Sequence, residues 1–524
     1  MANSSKGDAP SPPTDSDKSG DRTDYVDRIL RGGSSVFSGS LVAKAVGFAL
    51  QIVLSRSFGS ALYGLYSFGL SILRVVRELG TLGLQNGVVR FGAEYHESGD
   101  EAKLKGTFLA VGGLGLGAGL LLGMAFFFAA PWLAEGILEN EGILENADYT
   151  LVFRLFAAGL PFYILTYLGS RMARALGKMR VDVLLDSILQ PVLFLLLTGV
   201  LLLFGQGFTA ALYAFLASTV LAAGASVYAV YRLFPLLFST LSPTIDVRGL
   251  LRFSLPIVGV SLASMGLARA DRIMLGLLAT EEAVGLYTAA SKMSVQLRFV
   301  LFALTAAFSP VISELYHSDR RDALAQLYAD TVRWIALGTL PLAVLLIVFA
   351  PDIMAIFGPE FRKGAILLRL LALAYIVVAG SGSVGHMLQM SDHQDFAFAV
   401  NVSMAALNVG LNWVLIQWYG VVGAAIATGI SHVLGNVLQL AGLYYFTRIQ
   451  PFRGTLWKPL AAAAASGGTA WFLFILLAAP SRWIVGIPAA LLVYGGILLA
   501  LGLSPRDQKI VDDLWDELRA RLGS

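Results

Sequence analysis

The chain contains no cysteine. That removes disulfides, thiolate nucleophiles and Cys-based metal sites, and says nothing about compartment. Charge is also scarce. Only 14% of the residues are Asp, Glu, Lys or Arg, where a soluble domain carries roughly a quarter. The five histidines, His96, His317, His386, His393 and His432, are dispersed. No metal-ligand spacing, Ser/His/Asp arrangement or paired carboxylates can be argued from them. No cofactor and no nucleic-acid partner is expected. A cleavable signal is absent as well: the stretch from Met1 to about Gly33 is polar, so the first apolar run begins too late for one. This leader reads as a disordered cytoplasmic tail.

What is present is apolar sequence. Hydrophobic residues make up 56% of the 524 positions, and the mean hydropathy is +0.71. Apolar runs recur at the length of about 20 residues that crosses a hydrocarbon core. The fold class is therefore an all-α polytopic membrane protein, since a β-barrel would show short alternating segments instead. Fourteen spans are expected. Those that matter most run from Val36 to Ser55, Leu62 to Leu84, Leu250 to Leu278, Ala283 to Pro310, Phe396 to Trp418 and Val421 to Phe446. They are the first, second, seventh, eighth, eleventh and twelfth.

The connecting loops sort by charge. Lys and Arg gather on the side that holds both termini, while the other side has Arg56, Arg362/Lys363, Arg482 and an acidic stretch from Glu135 to Asp148. The positive-inside rule puts both termini in the cytoplasm and the protein in the cell membrane.

One local pattern occurs twice. Phe58-Gly59-Ser60-Ala61-Leu62-Tyr63-Gly64-Leu65-Tyr66 opens one apolar stretch, and Thr280 to Thr288, with Val284-Gly285-Leu286-Tyr287 at its centre, opens another. Aligning Gly64 with Gly285 also aligns Arg77 with Arg298. A second echo links Gly207-Phe208-Thr209-Ala210-Ala211 to Gly420-Val421-Val422-Gly423-Ala424. The expected organisation is two pseudo-symmetric six-helix lobes related by an axis along the membrane normal. These are residues 34–234 and 250–448, joined by a cytoplasmic linker at 235–249. Two extra helices at 449–503 and a cytoplasmic tail at 504–524 follow.

Charges within spans are costly and mark function by default. Here most are cations: Lys44 in span one, Arg74 and Arg77 in span two, Arg269 and Arg272 in span seven, Lys292 and Arg298 in span eight. Positions three apart share a helix face, so each Arg pair forms a cationic stripe. A wet cationic cavity suits an anionic substrate, because guanidinium grips phosphate with a bidentate fork. The plainer reading is structural pairing, with Glu78 near Arg74 and Asp271 beside Arg272. Arg154 and Arg369 are assigned to structural roles. In span eleven, Asn408 and Asn412 lie one turn apart; they either bond between helices or line a sugar path.

Two other motifs invite interpretation. Gly112 to Gly119 lacks nucleotide-loop spacing and sits mid-span, so it reads as a close-packing surface. The hexapeptide from Glu135 to Asn140 is repeated at once from Glu141 to Asn146 and reads as a duplicated loop insertion.

Taken together, the Phe58 to Tyr66 element, Ala270-Asp271-Arg272-Ile273-Met274-Leu275-Gly276, Phe357-Gly358-Pro359-Glu360-Phe361 and Leu411-Asn412-Trp413 running into Tyr419-Gly420-Val421-Val422-Gly423-Ala424 resemble the polysaccharide-biosynthesis (Wzx-type) flippases of the multidrug/oligosaccharidyl-lipid/polysaccharide exporter superfamily. The resemblance implies two rocking lobes and a lipid-linked oligosaccharide carried from the cytoplasmic to the outer leaflet. The lipid carrier would be a polyprenyl or dolichyl phosphate or pyrophosphate, with its phosphate in the cationic cavity and its tail in membrane lipid. Glycosyltransferase or polymerase partners would belong to the same assembly. A drug/cation antiporter of the superfamily is the alternative, and would favour acidic cavity residues. A membrane glycan polymerase or ligase is a third reading, disfavoured by short outer loops.

Overall fold

The computed structural model describes residues 15–138, 149–318, 320–452, 456–478 and 481–502. Every regular element among them is helical. In chain order these are α1 (Asp15–Gly80), α2 (Leu84–Glu97), α3 (Glu101–Leu138), α4 (Tyr149–Ala175), α5 (Met179–Val183), α6 (Gln190–Leu203), α7 (Phe208–Leu233) and α8 (Val247–Leu278). Then come α9 (Glu281–Ser294), α10 (Arg298–His317), α11 (Arg321–Val348), α12 (Ala350–Met354), α13 (Ala365–Ser381), α14 (Val384–Met390), α15 (Gln394–Thr447), α16 (Trp457–Leu476) and α17 (Ile487–Ala500). The chain is thus a multi-pass membrane protein. The first helix begins at Asp15, inside the leader read from sequence as a tail. Acid-to-base spacings of four residues, Asp24 to Arg28 and Asp27 to Arg31, favour helix there. The expected tail beyond residue 503 and most of the duplicated hexapeptide lie outside the described residues.

Among the described residues, ten helices are long and apolar enough to cross a membrane, against fourteen expected spans. Two of the ten hold two expected spans each. In α1 the helix breaks at Gly59 (φ 77, ψ 176), and in α15 at Gly420 (φ 56, ψ −137). Only glycine occupies such backbone conformations without strain. The expected eighth span is divided by a 3₁₀ turn, Val295–Leu297, into α9 and α10. The seventh lies in α8, which carries Arg269, Asp271 and Arg272.

The chain divides into two compact units. The first comprises Met1–Gln51, Val76–Phe128 and Arg154–Ser261, and the second Ile52–Val75, Ala129–Phe153 and Leu262–Ser524.

In the first unit, α3 packs on α4 through its glycine face, as expected. A Cβ on Gly115 would stand 2.2 Å from Leu168, one on Gly119 2.9 Å from the Pro161 backbone, and one on Gly123 3.0 Å from the Ala157 carbonyl. Gly113 and Gly117, on the opposite face, meet nothing. A buried ion network joins the end of α4 to the next helix. Arg171 bridges Asp182 (3.2 Å) and Asp186, and Arg174 also bonds Asp182. The helix widens into a π-turn at Leu184–Leu189, where Asp186 sits.

In the second unit, the two copies of the repeated motif cross each other. A Cβ on Gly64 would lie 1.8 Å from the Glu281 carbonyl oxygen, and one on Gly285 would lie 2.1 Å from that of Ser60. The contact is reciprocal and made by backbone alone. The helix break at Gly59 frees a donor that must be satisfied inside a bilayer, and the Ser60 N–H donates to Glu360 Oε1 at 2.7 Å. Phe361 of the same Phe-Gly-Pro-Glu-Phe segment stacks edge-on against Tyr63. The sparse cations of the positive-poor side are all engaged: Arg56 bonds the Ile356 carbonyl, Lys363 pairs with Glu282, and Arg362 and Arg482 flank Asp352.

Replacing Gly64 or Gly285 by Leu should abolish a monodisperse folded protein or lower its melting temperature sharply, since overpacking costs about 1–3 kcal/mol even where side chains can yield. Gly113→Ala and Gly117→Ala should melt no lower than the parent. Arg171→Ala should cost about 1–3 kcal/mol by leaving the buried Asp182 to Arg174 alone. Thermal unfolding of detergent-purified protein tests all five.

Candidate functional site

Seven span cations were singled out from sequence. Five fall in the second unit, and these come together in two overlapping groups. The guanidiniums of Arg74, Arg269 and Arg272 all lie near enough to repel the Lys292 ammonium. Arg272 and Arg298 line a cavity of about 610 Å³ within the helices of that unit. The remaining two cations lie in the first unit. Lys44 is exposed on α1. Arg77 lies over the rings of Tyr167 (4.3 Å) and Tyr163 (5.1 Å), with Glu78 at 3.9 Å.

Arg298, the repeat mate of Arg77, has a parallel environment. It stands over the Phe302 ring at 4.8 Å and lies near the Tyr375 hydroxyl. Each of these arginines therefore faces tyrosine from the fourth span of its own half, α4 in one case and α13 in the other. The Nε atoms of both are buried without a hydrogen-bond partner.

The Asp271–Arg272 pairing considered from sequence does not form. The Asp271 carboxylate accepts instead from the Tyr287 hydroxyl (2.6 Å) and from Asn412 Nδ2 (2.8 Å). Tyr287 also bonds Thr428 at 2.9 Å. These bonds draw the carboxylate toward α9 and α15. Arg272 is left with a single bond, to Ser291 Oγ at 3.2 Å. Among the described residues, neither Arg272 nor Arg298 has a carboxylate at ion-pair distance. Glu78 likewise accepts from Gln85 at 2.9 Å and lies by Arg77. Arg154 lies over the Phe127 ring, and Arg369 bonds the Ile347 carbonyl.

The two asparagines divide. Asn408 lines the cavity. Asn412 is fully buried and is consumed by Asp271 and Asn408, so it is a helix-joining residue and not part of a lining. Sequence reasoning missed much of the wall. His386 and His432, set aside as dispersed, both line it, with Asn401, Asn436, Gln439 and Tyr375. Their residue spacing on α15 was available as a signal: Asn401 and Asn408 lie seven apart on one face, and His432, Asn436 and Gln439 fall at intervals of four and three.

Residues 29–316 match the family model described as polysaccharide biosynthesis protein. The chain belongs to that family. A second model, MatE, matches 256–414. Among curated proteins, the probable flippase AglR of Haloferax volcanii is 23% identical over 492 residues, covering 92% of this chain and 98% of AglR. Its probable low-salt glycan biosynthesis flippase Agl15 is 26% identical over 206 residues, 39% of this chain and 44% of that relative. The lipid II flippase MurJ in an inward closed conformation superposes with a TM-score of 0.68 at 14% identity, covering 88% of this chain and 97% of MurJ. An inward-facing multidrug resistance MATE family transporter of the MOP superfamily gives 0.63 at 16%, covering 77% and 94%. The family member described here therefore has the MOP superfamily fold.

Asp271→Ala should lower stability by about 1–3 kcal/mol, because it removes the acceptor for the buried Tyr287 and Asn412. Tyr287→Phe, which keeps the ring, should cost less. Melting curves of the two variants against the parent decide the order.

Proposed function

We propose that this protein is a transporter, not an enzyme, and that it flips a lipid-linked oligosaccharide from the cytoplasmic to the outer leaflet by alternating access. The observation that carries the reading is the pair Arg272 and Arg298, facing a cavity of about 610 Å³ with no carboxylate to neutralise them. Two guanidiniums in a low-dielectric setting bind a phosphate or pyrophosphate through charge-assisted forks. Arg74 and Arg269 add to the positive potential that Arg272 creates around Lys292. The roles of Lys44 and Arg77 in cargo binding rest on their sequence position and, for Arg77, on its repeat match to Arg298. Asn408 contributes a polar lining group. Family membership and the flippase names carried by AglR and Agl15 support the same reading.

The drug/cation antiporter reading has less support. A cationic drug needs an available acid, and the cavity's one carboxylate, Asp271, already holds two donors. In the proposed setting both termini lie in the cytoplasm, the membrane is the cell membrane, and glycosyltransferases or a polymerase act before and after the flip. The product serves surface polysaccharide or glycoprotein assembly.

Reconstitution in proteoliposomes with a fluorescent polyprenyl-phosphate-linked sugar tests this. Arg272→Ala and Arg298→Ala should each slow flipping by about tenfold or more, the loss of roughly one charge-assisted contact. Arg272→Lys should recover part of the rate. Parent-like rates in both alanine variants would remove the basis of the proposal.

A further inference from the structure

The cavity wall is chemically layered. Asn412, Asp271, Tyr287 and Thr428 form a hydrogen-bonded chain, or knot, at one level. Asn401 and Asn412 are eleven residues apart on α15, about 16 Å along the axis. Thr428 and Gln439, on the returning half of α15, are separated by the same interval. The knot pairs the level of Asn412 with that of Thr428, and a bond from Gln439 Nε2 to Asn401 Oδ1 (2.9 Å) pairs the other ends. The two halves of α15 thus run antiparallel along the wall. Arg272 and Arg298 line the same cavity, and His432, whose ring lies 5.4 Å from that of Tyr375, falls between Thr428 and Gln439 in sequence.

The far level has a different character. Its lining groups are Asn401, Gln439, Asn436, His386 and Gln389, and none carries a fixed charge. In the whole wall only Asp271, Arg272 and Arg298 do. The Asn401–Gln439 bond uses one amide N–H and one carbonyl, leaving the Asn401 Nδ2 group and the Gln439 Oε1 for a ligand. Gln439 is itself 8% exposed. It stands over Gly385, where a Cβ would come within 3.1 Å of Oε1. The absence of a side chain there keeps room for the amide.

Amides and imidazoles offer donors and acceptors side by side. A sugar hydroxyl is both at once, whereas a second phosphate or a uronate would seek cations that this level lacks. We propose that the Asn401–Gln439 level is a carbohydrate subsite, and that it reads an uncharged sugar farther along the glycan from the phosphate held by Arg272 and Arg298. The inference rests on the flippase reading and assigns residues that reading does not use. A neutral hexose fits this level; a uronic acid does not.

The test compares two probes on full-length protein in nanodiscs: polyprenyl phosphate without sugar, and the same lipid bearing a linear triglucoside. Asn401→Ala and Gln439→Met should each weaken the glucosylated lipid by about fivefold or more, the loss of a hydrogen bond or two. The same variants should bind the sugar-free lipid as the parent does. Gln389→Ala, at the exposed rim, gives a second reading should Gln439→Met melt early. Equal loss for both lipids, or no loss for either, overturns the subsite. Arg272→Ala should weaken both lipids alike. If it weakens neither, the anion reading fails instead, and the difference between the two lipids in the Asn401 and Gln439 variants still decides the subsite.

Discussion

Two hydrogen bonds, from Tyr287 and Asn412 to the Asp271 carboxylate, determine what this cavity can hold. Asp271 precedes Arg272 in sequence, and an ion pair between them would have left Arg298 as the wall's unpaired charge among the described residues. Drawing the acid toward α9 and α15 leaves the arginine, among the described residues, with the Ser291 hydroxyl alone. A guanidinium without an ion-pair partner inside a membrane helix is unfavourable unless water or a ligand reaches it. The arrangement therefore costs stability at Arg272, and the knot supplies part of the compensation by joining α8, α9 and α15.

The repeat runs deeper than the matched glycines that reveal it. Arg77 and Arg298 meet tyrosines on the fourth span of their own half, and both leave Nε unpartnered. Duplication thus preserved an environment as well as a residue. The copies have also diverged. The helix runs through Arg77 without interruption in α1, but a 3₁₀ turn immediately precedes Arg298.

Much of this was legible in sequence. Hydropathy and the sign of the loops gave the class, and the glycine face of α3 was read correctly because its spacing is local. The breaks at Gly59 and Gly420 fall in the short gaps read between spans one and two and between spans eleven and twelve, whereas the 3₁₀ turn that divides the expected eighth span left no mark in its apolar run. The cations were visible by type, but their partners were not. Helix spacing sets Glu78 near Arg74 and says nothing of Gln85 and Arg77, from which Glu78 accepts and beside which it lies. Asp271 was paired with its chain neighbour, while its real donors stand 16 and 141 residues away. Long-range choices of this kind depend on which side chains surround the acid, and spacing rules do not reach them. The same holds for His386, His432, Asn401 and Gln439, which look scattered until α14 and α15 bring them to one wall.

The crossing of Gly64 with Gly285 separates two kinds of evolutionary freedom. Main chain presses on main chain there, so the joint has no side chain whose identity could be tuned. If the amides of α15 read the glycan as proposed, they can change with the cargo while this joint stays as it is. Cargo preference and mechanical fit are written in different letters, and only the first is open to revision.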